Sequence, residues 1–270
     1  MQREYNRTYF VRDNKALKYD LFSTDSNEKL PLVFFVHGGG WIQGDKSMFH
    51  SEAEWLAQQG FACACVEYRL SPESTYPGCL ADIQRFIQHA RKNHQELGID
   101  PEKIIAFGNS AGGYISGFTG LTDKYFGQDS DPELDNISCK ANKVVSICGI
   151  FDIGLPQIED YADGMDFLEI FMGCKYKGNE NLWKEASPYN HVNNEATPYL
   201  LVHGNADTLV PYQGSTRFHE KLIEHNVESK IKIIENAEHS FTLPQWEEIR
   251  KEYLPFTQAD NHCLKSSCAK

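Results

Sequence analysis

Ser110 sits where an apolar run, KIIAFG, meets Gly108-Asn109-Ser110-Ala111-Gly112 and a helical pattern, YISGFTGL, begins. A serine in G-x-S-x-G at a sharp strand-to-helix turn takes a strained backbone conformation that exposes its hydroxyl, which suits it to nucleophilic attack. The same residues also read as a glycine-serine turn whose hydroxyl caps the helix. Features elsewhere in the chain separate these readings.

A serine hydroxyl is a poor nucleophile until a base takes its proton, and the base needs an acid to fix its tautomer and stabilise its charged form. Asp207, in GNADTLVP, and His239, in NAEHSF, each follow an apolar strand run, and the chain order is serine, aspartate, histidine. Asp152, at the end of an earlier strand run, is a second candidate acid, whereas Asp160, Asp163 and Asp166 read as solvated. Asp207 is favoured over Asp152 because one further strand separates it from His239. His203 closes a strand run and reads as a packed, hydrogen-bonded histidine; His89, His94, His219 and His225 fall on predicted helices and read as exposed.

Acyl transfer also needs fixed donors for a developing oxyanion, a role that backbone N–H groups fill without reorganisation. Ala111, directly after the serine, is one. His37-Gly38-Gly39-Gly40 follows the early run PLVFFV, and glycines there let the backbone turn N–H groups inward without a Cβ in the way. The further donors are expected from this glycine loop, with His37, Gly38, Trp41 and Asn109 supporting the loop or the pocket.

These groups need a scaffold that gathers them at one edge. From residue 31 onward, Val-, Ile- and Phe-rich runs (PLVFFV, FACACVEY, KIIAFG, KVVSICG, YLLVHG, KIKIIE) alternate with helical patterns over 47–59, 79–97, from 111, and over 213–225. That alternation predicts an α/β fold with a mostly parallel sheet and helices on both faces. Open sheets of this kind collect ligands and catalytic groups at the carboxyl ends of their strands. Residues 3–11 and 16–22 predict an N-terminal hairpin. The alternation fails between Asp152 and Pro198, so 153–195 is read as a short lid within one domain, 1–270, with 258–270 as a loose tail. Trp41, Phe151, Tyr161, Phe167 and Phe171 read either as the lining of an aromatic pocket or as packing; both remain open.

Composition excludes several classes. The 270 residues carry a formal charge of −12, which disfavours a nucleic-acid partner. No segment approaches a membrane span, and MQREYNRTYF lacks a signal sequence's apolar core. Cys63, Cys65 and Cys148 lie in strand runs as buried thiols do, so reduced thiols and a cytoplasmic location are expected, or a secreted one had a leader been trimmed. Cys263 and Cys268, with His262, form too small a set for zinc, and no metal or organic cofactor is implied.

In combination, HGGGW, EYRLSPESTYPGCLADI, FGNSAGG, KEASPYNHV, LLVHGNADTLVPY and AEHSF resemble the α/β-hydrolases of the hormone-sensitive-lipase type. The resemblance is closer to the compact bacterial esterase and feruloyl-esterase-like branch, which acts on small or carbohydrate esters. It implies a triad of Ser110, Asp207 and His239, an oxyanion hole from Gly39, Gly40 and Ala111, and a small-molecule ester or acylated oligosaccharide as substrate. It leaves a homodimer open. Two departures stand out: Asn109 replaces the usual acidic residue, and the long helical N-terminal cap is missing. His37-Gly38-Gly39-x-Trp41 also resembles kynurenine formamidases, which cleave an N-formyl amide. A non-catalytic binding protein on the same fold would typically have lost a triad member.

Overall fold

Buried strand runs without polar alternation form the middle of a single eight-stranded sheet in the computed structural model, which describes residues 1–12, 14–153 and 165–259. The strands are β1 (Gln2–Arg12), β2 (Lys15–Ser23), β3 (Leu30–Val36), β4 (Ala62–Val66), β5 (Ile99–Asn109), β6 (Lys143–Ile147), β7 (Tyr199–Gly204) and β8 (Ser229–Ile234). Their order is β1-β2-β4-β3-β5-β6-β7-β8, with β1–β2 and β2–β4 antiparallel and the remaining pairs parallel.

Seven helices are described: α1 (His50–Ala57), α2 (Gly78–Lys92), α3 (Ala111–Thr119), α4 (Met165–Met172), α5 (Glu180–Glu185), α6 (Gln213–Glu224) and α7 (Leu243–Gln258). The sheet's two faces bury different sets of side chains, as a period of two requires. Phe34 and Val36 join one cluster with α2, α3 and α6, whereas Val33 and Phe35 join another with α1 and α7. Trp183 and Phe171, from the segment predicted as a lid, are fully buried in the first of these clusters, so α4 and α5 anchor into the main core. Among the described residues no helix is long and apolar enough to cross a membrane.

Register matters more than layering for the site. Val36 pairs with Gly108, Asn109 with Ile147, Ile147 with Val202, and Gly204 with Ile234. The residues that follow β3, β5, β6, β7 and β8 therefore leave the sheet side by side at one edge.

Several boundaries differ from the sequence reading. The helix expected over 47–59 is a 3-10 turn, Lys46–Phe49, followed by α1. The helix expected to run to residue 97 stops at Lys92, where the Asn93 side chain donates back to His89 O at 2.9 Å and closes the helix end. The four helix histidines expected to be exposed are half-buried instead. His94 and His225 donate to the carbonyls of Arg91 and Lys221, His219 meets Ser229, and His89 lies against the Tyr19 ring, where burial lowers its pKa to about 4. Imidazoles near helix ends find unpaired carbonyls there, and this draws them in.

Helix α7 had no sequence-based prediction, although Thr242 and Gln245 form a reciprocal cap at its start. Besides packing Ile249, Tyr253 and Phe256 against the sheet, it is tied to α1 through the buried Glu52, whose carboxylate accepts from Trp246 Nε1 at 2.6 Å, Arg250 Nη2 at 2.7 Å and the Tyr253 hydroxyl. Removing one member of a buried charged cluster strands the others. Glu52→Ala should therefore cost about 3 kcal/mol in urea unfolding; a loss below about 0.5 kcal/mol would show that apolar packing alone docks α7.

Candidate active site

Ser110 stands at the crest between β5 and α3 with φ 53° and ψ −121°, a conformation that L-residues rarely adopt. Two close approaches explain the flanking glycines. A Cβ on Gly108 would lie 2.2 Å from Gly112 O, and one on Gly112 would lie 2.0 Å from Val36 O. Helix α3 thus presses directly onto β5 and β3. The Ser110 N–H donates to Ile147 O at 2.8 Å, its carbonyl accepts from Tyr114 N at 3.0 Å, and its side chain makes no helix-capping bond. The capping alternative fails on that last point.

His239, in the loop after β8, places Nε2 3.0 Å from Ser110 Oγ and Nδ1 2.7 Å from Asp207 Oδ2. With Nδ1–H donating to the carboxylate, Nε2 carries the lone pair that faces the serine hydroxyl. Asp207, in the loop after β7, has a wholly buried side chain, and its Oδ1 accepts the N–H groups of Leu209 at 2.9 Å and Val210 at 2.8 Å. Burial alone would raise its pKa, but donors from His203, His239 and Val210 outweigh it and hold the carboxyl well below the usual carboxylate range. Asp152, the other candidate acid, expected at the end of a strand, lies buried in the loop after β6, which stops at Ile147, while His239 Nδ1 takes Asp207 as its carboxylate partner. Asp160 and Asp163 lie outside the described residues, and nothing is described of the Asp166 side chain.

The glycine loop follows β3. Gly39 and Gly40 have φ +116° and +60°, and a Cβ on Gly39 would come within 2.1 Å of Gln43 O. Only glycine fits that turn without a shift. His37 is buried, stacks on Tyr68 with ring centroids 4.4 Å apart, and has Nδ1 2.8 Å from Gly38 O. Desolvation lowers its pKa, so it is a neutral donor that ties the loop down. Asn109 packs beneath Gly38, where any Cβ would be 3.1 Å from its side chain. Ala111 is fully buried at the first turn of α3.

Gly39, Gly40, Ser110 and His239 open onto a pocket of about 320 Å³. Its apolar wall comes from Trp41, Met48, Ile150, Phe167, Leu168, Leu209 and Val210, its polar side chains from Gln43, Asn109 and Ser240. No Lys, Arg, Asp or Glu lines it among the described residues. Two of the five aromatics left open between lining and packing are packing residues. Phe151 is buried beneath α3, stacked on Phe218 at 4.0 Å, and Phe171 is buried behind Trp41, stacked on it at 4.2 Å. Phe167 does line the pocket, standing over Gly40, and Tyr161 lies outside the described residues. Met48 and Leu209, both exposed at the mouth, went unnoticed in the sequence because nothing local marks a residue whose loop folds over a distant strand end.

Among the described residues one group brings three metal-type donors together, Cys148, His203 and Asp207. His203 and Asp207 are already hydrogen-bonded to each other and to further partners. The residues 260–270, with His262, Cys263 and Cys268, lie outside those described.

The family model described as BD-FAE matches residues 20–222. Esterase LipC of Mycobacterium tuberculosis is 32% identical over 71% of this chain and 48% of its own length. LipM, a probable carboxylic ester hydrolase of the same organism, is 30% identical over 71% of this chain and 44% of its own. The chain therefore spans about half the length of these relatives. Among solved structures, a thermophilic esterase of Thermogutta terrifontis with propionate bound superimposes with a TM-score of 0.77 at 25% identity, covering 94% of both chains. Esterase 2 of that organism phosphonylated by sarin gives 0.81, at the same identity and coverage. The family-model match over residues 20–222, on a chain whose eight-stranded, mostly parallel sheet is flanked by helices, makes this chain a member of the BD-FAE family with the α/β-hydrolase fold.

Proposed function

We propose that this chain is a serine carboxylic-ester hydrolase that cleaves small, uncharged esters through an acyl-enzyme. The observation that carries the reading is the line Ser110 Oγ, His239, Asp207, linked at 3.0 and 2.7 Å, opening onto an apolar pocket beside Gly39 and Gly40. His239 takes the Ser110 proton as Oγ bonds to the ester carbonyl carbon. The carbonyl oxygen becomes an oxyanion held by the N–H groups of Gly39, Gly40 and Ala111. As the tetrahedral intermediate collapses, the C–O bond breaks and His239 gives its proton to the departing alcohol. Water then repeats the sequence on the acyl-enzyme and releases the acid.

The relatives named as esterases support the reaction class. The Thermogutta terrifontis esterase solved with propionate and with butyrate bound supports short acyl groups. The lining, uncharged among the described residues, argues for a neutral substrate, because an ionic group would lose hydration there without a partner. A sugar or phenol on the alcohol side of the ester is compatible with that, since the mouth is open. N-formylkynurenine, which carries both a carboxylate and an ammonium group, is not.

An activity panel decides the matter: short and long p-nitrophenyl esters, acetylated xylo-oligosaccharides, methyl ferulate and N-formylkynurenine. Short-acyl esters should lead in kcat/KM, and the twelve-carbon ester should trail acetate by roughly tenfold or more. Dominant turnover of the formamide would replace the esterase reading with an arylformamidase one.

A further inference from the structure

His203 is the penultimate residue of β7 and is wholly buried. Its Nε2 lies 2.9 Å from Val210 O and 3.2 Å from Asp207 Oδ2, and both of those atoms are acceptors. Nε2 must therefore carry the proton. Nδ1 is then bare and accepts from the Ser215 hydroxyl, 2.7 Å away on α6. Val210 in turn sends its own N–H to the other carboxylate oxygen of Asp207. Imidazole and loop thus grip the carboxylate from two sides.

The result is a chain of hydrogen bonds, Ser110, His239, Asp207, His203, Ser215, with two imidazoles donating to the same oxygen, Oδ2. The outer serine–histidine pair faces the pocket. The inner pair is sealed, since His203 and Ser215 are 0% and 1% exposed, so no substrate reaches it. Cys148, after β6, completes the ring of titratable groups around Asp207; burial, followed by the carboxylate itself, keeps that thiol protonated.

We infer that His203 is a positioning residue for Asp207, setting the rotation of its carboxylate and drawing charge from the oxygen that receives His239. The inference rests on the triad reading of Ser110, Asp207 and His239. A second donor on Oδ2 prevents the carboxylate from swinging out of line with Nδ1. It also makes Oδ2 less basic, because a second donor shares the carboxylate's charge. Without that donor, Asp207 becomes more basic and less fixed. The imidazolium is then better stabilised and the base works only at higher pH.

The test compares the full-length wild type, Ser110→Ala, His203→Phe and His203→Gln on p-nitrophenyl acetate across about pH 5–9. His203→Phe should lower kcat roughly 10- to 100-fold with KM within about twofold. It should also move the acid limb of kcat/KM to higher pH. His203→Gln keeps an amide donor near Nε2 and should recover most of kcat and return the limb to its wild-type position. Wild-type kcat and an unmoved limb in His203→Phe would overturn the inference. So would equal losses in both His203 variants with the limb unmoved, because a space-filling role predicts that pattern.

Nitrogen-15 NMR of histidine-labelled wild type at about pH 8 needs no variant to fold. It should find the His203 proton on Nε2; a proton on Nδ1 would remove the donor to Asp207 and overturn the inference. Ser110→Ala separates the two readings. Turnover retained in that variant sinks the triad, whereas an inactive Ser110→Ala beside a fully active His203→Phe sinks only the role of His203.

Discussion

Ser110→Ala should abolish hydrolysis of p-nitrophenyl acetate, with kcat falling by roughly a millionfold as it does when a triad nucleophile is removed. The substitution deletes one atom, Oγ, whose hydrogen bond in the structure goes to His239. No helix cap is lost, because that side chain makes no capping bond to α3. The backbone strain at φ 53° falls on alanine as it does on serine, and the bonds through Ser110 N and O to Ile147 and Tyr114 are untouched. Stability should therefore stay within about 0.5 kcal/mol of wild type, as for substitutions that leave packing, caps and buried partners intact. Activity and stability separate cleanly at this position. Turnover above about a thousandth of wild type, in protein verified by mass, would show that Ser110 is not the nucleophile and that a water attacks the ester directly.

The residues brought together at the site were legible because each lies a step or a short loop beyond an apolar strand run. Once β3, β5, β7 and β8 are parallel, their carboxyl ends share one edge, and Gly39, Ser110, Asp207 and His239 follow with them. Period and punctuation are local signals, and so they sufficed. What escaped depends on contacts between distant segments. Phe151 reads equally as pocket lining or as packing, and what decides it is stacking on Phe218 of α6, which draws it under α3. Leu209 carries no local signal of a pocket residue, yet the bonds that Asp207 makes to the next N–H groups leave it exposed at the pocket mouth. His203 reads correctly as a packed histidine. Its three partners come from a loop, a helix and the acid itself, and spacing does not encode that convergence.

Asp207→Asn should lower kcat by about 10⁴-fold while Asp152→Asn leaves it within about threefold. The size of the first effect follows from hydrogen-bond bookkeeping at the buried carboxylate. Oδ1 faces two N–H donors, from Leu209 and Val210, and Oδ2 faces two more, from His239 and His203. A carboxylate accepts all four, but an amide has one oxygen and one NH₂ group, so either orientation sets donor against donor. With the NH₂ group toward His239, the imidazole relieves the conflict by moving its proton to Nε2. That nitrogen then presents N–H to Ser110 and no longer accepts the serine proton. With the NH₂ group toward Leu209 and Val210, His239 keeps its tautomer but loses the negative charge that stabilises its imidazolium, and the loop is forced open at the backbone. Both outcomes remove general-base catalysis, and the second also lowers stability measurably in thermal unfolding. Asp152 lies in the loop after β6, while the structure hands His239 Nδ1 to Asp207, so the amide there should be tolerated. The reverse pattern, with Asp152→Asn inactive and Asp207→Asn near wild type, would transfer the acid's role to the loop after β6 and leave Asp207 as a structural staple of its loop.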